Sequence, residues 1–124
     1  MTTHPLISVV DDDESVRESI QSLLRSVGFA VKVFASAEEF LKSDCLRDTC
    51  CLILDVRMPG MSGIELHHRL VASHSEVPVI FITAHGSDKE TRSRAIRDGA
   101  VDYLSKPFSE DALLKAVRKA LDQK

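Results

Sequence analysis

Five apolar runs of strand length punctuate the chain, at residues 6–10, 30–34, 51–54, 77–82 and 100–104. They are rich in Val and Ile, and three show no clear alternation of apolar and polar positions. A strand with one wet face alternates, whereas a parallel strand covered on both faces reads as a continuous apolar run. The segments between them change period. Val16, Ile20, Leu23, Leu24 and Val27 form one apolar stripe over residues 14–27, and Gly28 is placed to end that helix. Ser36-Ala37-Glu38-Glu39 reads as a capping box that opens a short helix through Phe40 and Leu41. Ser62 opens a third, with Ile64, Leu66, Leu70 and Val71 apolar. Gly86 or Ser87 opens a fourth, which stops at Gly99. Ser109 opens the last, with Leu113, Leu114, Val117 and Leu121 facing inward.

Strand and helix therefore alternate five times, which predicts a parallel sheet with helices on both faces. Right-handed crossovers leave few topologies. The expected fold is a doubly wound (βα)5 flavodoxin-like sandwich of strand order 2-1-3-4-5. The fourth helix stands apart. SDKETRSRAIRDG offers only Ala95 and Ile96 for burial, so it should be weakly held and suited to movement or to partner binding.

In such sheets ligands bind beyond the carboxyl ends of the strands. The first run ends in Asp11-Asp12, the third in Asp55, the fourth in Thr83 and the fifth in Lys106. The second run ends without an obvious functional group, as an edge strand can. Each of these residues alone has an ordinary structural explanation, but their joint placement does not. The stretch VVDDDE puts four carboxylates directly after a buried strand. Two unit charges ~4 Å apart repel by roughly 4 kcal/mol at an effective dielectric of ~20. Asp13 and Glu14 suit an N-cap and a first helical turn, where the helix dipole favours acids. Asp11 and Asp12 are left to face Asp55. Carboxylates at a sheet mouth suit a hard cation such as Mg²⁺, which takes one or two of them and keeps several waters. A further carboxylate is then free to attack phosphorus as a nucleophile. Lys106 can neutralise phosphoryl oxygens, and Thr83 can donate a hydrogen bond to them.

Composition narrows the picture. The chain has 124 residues, 44% of them apolar and 28% charged, which suits one ordinary globular domain. Its net charge of −3 gives no support for nucleic-acid binding by this segment. No apolar run is long enough to cross a membrane. MTTHPLISVV lacks a charged n-region and a long h-region, so no signal peptide is expected and the cytoplasm is favoured. Cys45, Cys50 and Cys51 have neither disulfide parity nor zinc spacing and read as reduced thiols, with Cys50 or Cys51 used in the core. His67 and His68 point about 100° apart on a helix and read as surface residues.

The motifs VVDDDE, LDVRMPGMSGIEL, PVIFITAHG and GAVDYLSKPF, at these spacings, closely resemble the receiver domain of two-component response regulators. The resemblance covers residues 1–124 as one domain and is strongest to FixJ-type receivers. It implies that Asp55 is the phosphoacceptor, that Asp11 and Asp12 are the acidic pair, and that Asp12 is the direct metal ligand. It implies that the Arg57 backbone carbonyl completes a Mg²⁺ site, which Mn²⁺ or Ca²⁺ can also fill. Thr83 matches the switch hydroxyl, Lys106 the phosphate-binding lysine and Tyr103 the aromatic switch. The small residue Ala84, with His85 and Arg57, matches the site entrance. Lys106-Pro107 matches a peptide bond that is usually cis in the family.

The resemblance implies a signalling switch rather than an enzyme with turnover. A sensor histidine kinase, or acetyl phosphate, supplies the phosphoryl group, and the face formed by the fourth helix, fifth strand and fifth helix changes. FixJ-type proteins carry a DNA-binding output domain after the receiver, and none lies in these 124 residues. A phosphorylation-dependent homodimer fits the family but is not legible in the residues. Two other classes compete. A haloacid-dehalogenase-like phosphatase needs a second Asp two residues after the nucleophile, where this chain has Arg57. A pseudo-receiver would lack the acidic pair, Asp55, Thr83 or Lys106, and all are present. A dinucleotide-binding role lacks the glycine-rich loop after the first strand.

Overall fold

The five apolar runs are the five strands. The computed structural model describes residues 5–84 and 89–122. In chain order these form β1 (Leu6–Val10), α1 (Glu14–Ser26), β2 (Ala30–Phe34), α2 (Ala37–Lys42), β3 (Thr49–Asp55), α3 (Gly63–Ala72), β4 (Val79–Thr83), α4 (Lys89–Arg97), β5 (Asp102–Ser105) and α5 (Glu110–Asp122). A short 3-10 turn, Leu46–Asp48, precedes β3 and has no counterpart in the sequence pattern. All neighbouring strands are parallel, in the order β2-β1-β3-β4-β5.

The central strands lack alternation because both of their faces are buried. Leu52, Leu54 and Phe81 pack toward Phe40 of α2, Leu66 and Leu70 of α3 and Ala95 of α4. Cys51, Ile53, Ile80 and Ile82 pack toward Ile20 and Leu24 of α1 and Leu113 and Val117 of α5. A fully buried Ile or Leu contributes roughly 1.5–3 kcal/mol. Against that scale α4, which buries only Ala95, is weakly anchored, as its sequence implies. Four apolar residues that the sequence pattern places in helices are exposed, Val27, Leu41, Val71 and Ile96. Val27 is the C-cap of α1 and lies past the packed turn, and Val71 points away from the sheet.

The helix ends follow their capping residues. Asp13 is the N-cap of α1 and accepts the Ser15 N–H at 2.9 Å. Gly28, at φ +97°, donates to Arg25, and Phe29 donates to Leu24. The left-handed step that this turn needs is free to glycine. The N-terminal bound of α4 at Gly86 or Ser87 lies outside the described residues. Its other end turns at Gly99, where the Ala100 amide donates to Ala95. That bond explains why β5 starts at Asp102 rather than at residue 100. Asp13→Ala is expected to cost about 1 kcal/mol in urea unfolding and to leave Mg²⁺ binding unchanged, because the cap faces α1 rather than the acid cluster.

One expectation fails. His67 is buried, with its ring edge-on to Phe81 at 5.3 Å between centroids. It shares the packed face of α3 with Gly63, Leu66 and Leu70. Burial, followed by the charge of His68, lowers its pKa, and Asp98 opposes them. His68 is exposed, as expected, and sits 3.4 Å from Asp98 of the α4 end. Cys51 is the core thiol, Cys45 and Cys50 are half-buried, and none of the three is joined in a disulfide.

Candidate functional site

Parallel strands all end at the same sheet edge, so β1, β3, β4 and β5 bring their last polar residues together. Asp11 follows β1 and is fully buried. Its amide donates to the Phe34 carbonyl of β2 at 3.1 Å, and its Oδ1 accepts the Asp13 N–H at 2.9 Å. Asp12 is exposed at the mouth. Asp55 ends β3 and is 5% exposed. Carboxylate oxygens of Asp11, Asp12 and Asp55 lie within 4.8 Å of one another.

Lys106 reaches into this cluster from the end of β5. Its Nζ is 2.9 Å from Asp11 Oδ2 and 3.9 Å from Asp55 Oδ1. Its own amide donates to the Thr83 carbonyl at 2.7 Å, which ties β5 to the end of β4. The Lys106-Pro107 bond is cis, as the resemblance implies. Thr83 is buried, and Tyr103 is buried with its ring centroid 6.1 Å from that of Phe81. Ala84 is exposed beside the cluster. His85 lies outside the described residues.

The electrostatics follow from this crowding. Burial, and then the charge of Asp11, push the Asp55 carboxyl up to about 7. Lys106 opposes that shift, and the hydrogen bond and charge of Asp12 add to it. The cluster fits a divalent cation. Among the described residues Asp11 Oδ2 is buried and has no hydrogen-bond partner, and Lys106 Nζ faces it at 2.9 Å as an ion pair. An oxygen-only donor set of this kind is what Mg²⁺ takes.

Three structural supports have no clear signal in the sequence. The Val56 amide donates to Ile82 at 3.0 Å, and its carbonyl accepts the Gly63 N–H at 3.0 Å. A Cβ on Gly63 would collide with the Asp55 carbonyl oxygen, so glycine is required where α3 begins against the end of β3. Glu38 of α2 accepts the Met61 N–H at 3.2 Å and lies against Gly60, at φ +77°, where a Cβ would meet its Oε2 at 2.7 Å. These two grips hold the loop that carries Arg57, whose side chain is exposed. Arg17 of α1 donates from Nη1 to the Asp11 carbonyl at 2.8 Å. The GMSG spacing hints at the glycines, but nothing in periodicity predicts Glu38 or Arg17.

Known proteins are similar to this chain in sequence and in fold. A family described as response regulator receiver domain matches residues 7–118. The response regulator protein TodT of Pseudomonas putida is 48% identical over 117 residues, covering 94% of this chain and 51% of TodT. The transcriptional regulatory protein FixJ of Bradyrhizobium diazoefficiens is 42% identical over 123 residues, covering 99% of this chain and 60% of FixJ. The crystal structure of FixJ-N superposes with a TM-score of 0.86 at 37% identity, covering 99% of this chain and 98% of that one. The chain thus spans about half the length of the curated relatives it matches.

Proposed function

The chain belongs to the response regulator receiver family of two-component systems, and from that premise we propose that it is a phosphorylation-activated switch with Asp55 as its phosphoacceptor. One observation carries the reading. Lys106 Nζ stands between the Asp11 and Asp55 carboxylates, where three acids converge at the sheet edge. In this reading Asp11, Asp12, Asp55 and the Arg57 carbonyl hold the metal ion. When bound, it would offset the charge of the acid cluster and of the transferring phosphoryl oxygens.

The chain's own residues do the rest. An Asp55 carboxylate oxygen attacks phosphorus, the donor bond to phosphorus breaks, and its electron pair leaves with the donor. The acyl phosphate adds close to two negative charges. Lys106 leaves Asp11 to pair with it, and the Thr83 hydroxyl turns toward it. Tyr103, buried on the neighbouring strand β5, responds to that turn and passes it to the surface of α4, β5 and α5. The weak anchoring of α4 supports this output, because little apolar contact resists its shift.

The donor in this reading is a sensor histidine kinase of the cytoplasm. An apolar cleft lined by Val16, Ile20, Leu23, Phe108 and Leu113 opens beside Lys106 and suits the donor's apolar surface. The output is transcription through a DNA-binding domain outside this chain, with homodimerisation through the α4 face as a second consequence. Beyond accepting a phosphoryl group and slowly releasing it, the chain turns over no substrate.

Incubation with acetyl phosphate and Mg²⁺ tests the acceptor by intact mass. The chain is expected to gain one phosphoryl group, and Asp55→Asn none. A variant that still gained it would put the acceptor elsewhere. A native chain that gained nothing from any donor would favour the pseudo-receiver class.

A further inference from the structure

Arg17 sits in the second turn of α1, six positions after Asp11 and outside the acid cluster. Four contacts bear on Asp11. Its amide binds the Phe34 carbonyl, its Oδ1 binds the Asp13 amide, its Oδ2 faces Lys106, and its carbonyl accepts from Arg17 Nη1. The first three fix the residue itself. The fourth acts on the peptide plane that joins Asp11 to Asp12, because a carbonyl oxygen and the next Cα share one rigid plane. Among the described residues the Arg17 guanidinium forms no ion pair with a carboxylate, so its half-buried charge is directed at this neutral oxygen.

We propose that Arg17 is a positioning residue of the metal site, holding the Asp11–Asp12 peptide plane so that the exposed Asp12 carboxylate points at Asp55. The inference rests on the metal-site reading above. Positioning and charge predict effects of opposite sign. A cation beside three acids repels a second cation, so removing Arg17 for charge reasons would tighten Mg²⁺ binding. Removing a positioning bond loosens it, because Asp12 must then be ordered when the metal binds.

Calorimetric titration of Mg²⁺ into the whole chain separates the two. Arg17→Met is expected to weaken Mg²⁺ binding by roughly fivefold to tenfold, the worth of part of one charge-assisted hydrogen bond. Arg17→Lys keeps a cationic donor and is expected to stay within about threefold of the native chain. In phosphorylation by acetyl phosphate, Arg17→Met should raise the half-saturating Mg²⁺ concentration and leave the rate at saturating Mg²⁺ within about twofold. Unchanged or tighter Mg²⁺ binding by Arg17→Met, or a fall in thermal stability alone, would overturn the assignment. A native chain that bound no Mg²⁺ at millimolar concentration would instead overturn the metal-site reading beneath it.

Discussion

Asp55→Asn is expected to make the metal-free protein markedly more stable at pH 8. Asp55 is 5% exposed, and burial and the charge of Asp11 push its carboxyl up from 3.8 to about 7. The folded state therefore keeps a proton that the unfolded chain releases between about pH 4 and pH 7. Folding stability falls as pH rises through that window, and the full cost is present above it. At roughly 1.36 kcal/mol per pH unit, the cost is on the order of a few kcal/mol. Asparagine fills the same space without the charge. In a chelating buffer at pH 8 the variant should melt more than about 5 °C above the native chain, and the gap should close toward pH 4. Equal melting temperatures at pH 8, or a gap independent of pH, would show that Asp55 is not the strained acid. Mg²⁺ at one hundred times its Kd should return about 2.7 kcal/mol to the native chain. A bound dication is expected to offset that strain.

Asp12→Asn is expected to weaken Mg²⁺ binding by roughly 100-fold or more. Lys106 lies 2.9 Å from Asp11 and offsets part of its charge. Asp12 and Asp55 therefore supply much of the field that a dication feels. A unit charge ~4 Å away is worth roughly 4 kcal/mol at an effective dielectric of ~20, and solvent at the exposed Asp12 takes back a large part of the doubled value for a dication. Calorimetry reads this directly. An affinity within about threefold of native would mean that Asp12 is not a ligand. The neighbouring Asp13→Ala provides the control, because its carboxylate is engaged with the Ser15 amide.

Hydrophobic period carried most of the fold. The run VPVIFI lacks alternation because Ile80 and Ile82 face α1 and α5 while Phe81 faces α3 and α4. Such a strand is recognisable one residue at a time. Its bounds are less so: β4 runs from Val79 to Thr83, and Pro78 has no N–H to add to the ladder. His67 departs from its expected surface position for a related reason. Its polar ring suggests exposure, but its spacing of four from Gly63 and three from Leu70 places it on the packed face of α3. Burial belongs to the face, and residue type only shifts the odds.

Residue type and order alone thus determined the (βα)5 architecture, the acids, hydroxyl and lysine at the strand ends, and the division of VVDDDE into a site half and a capping half. These follow from local rules: period, capping preference and the shared edge of a parallel sheet. Only the tertiary structure decided how the site is charged and held. Lys106 lies on Asp11 rather than midway between the acids, Asp55 bears the raised pKa, and Arg17, Glu38 and Gly63 grip the two loops. Each of these depends on distances of a few ångströms between residues many positions apart. Coulomb and hydrogen-bond energies change steeply over such distances, and sequence spacing does not encode them.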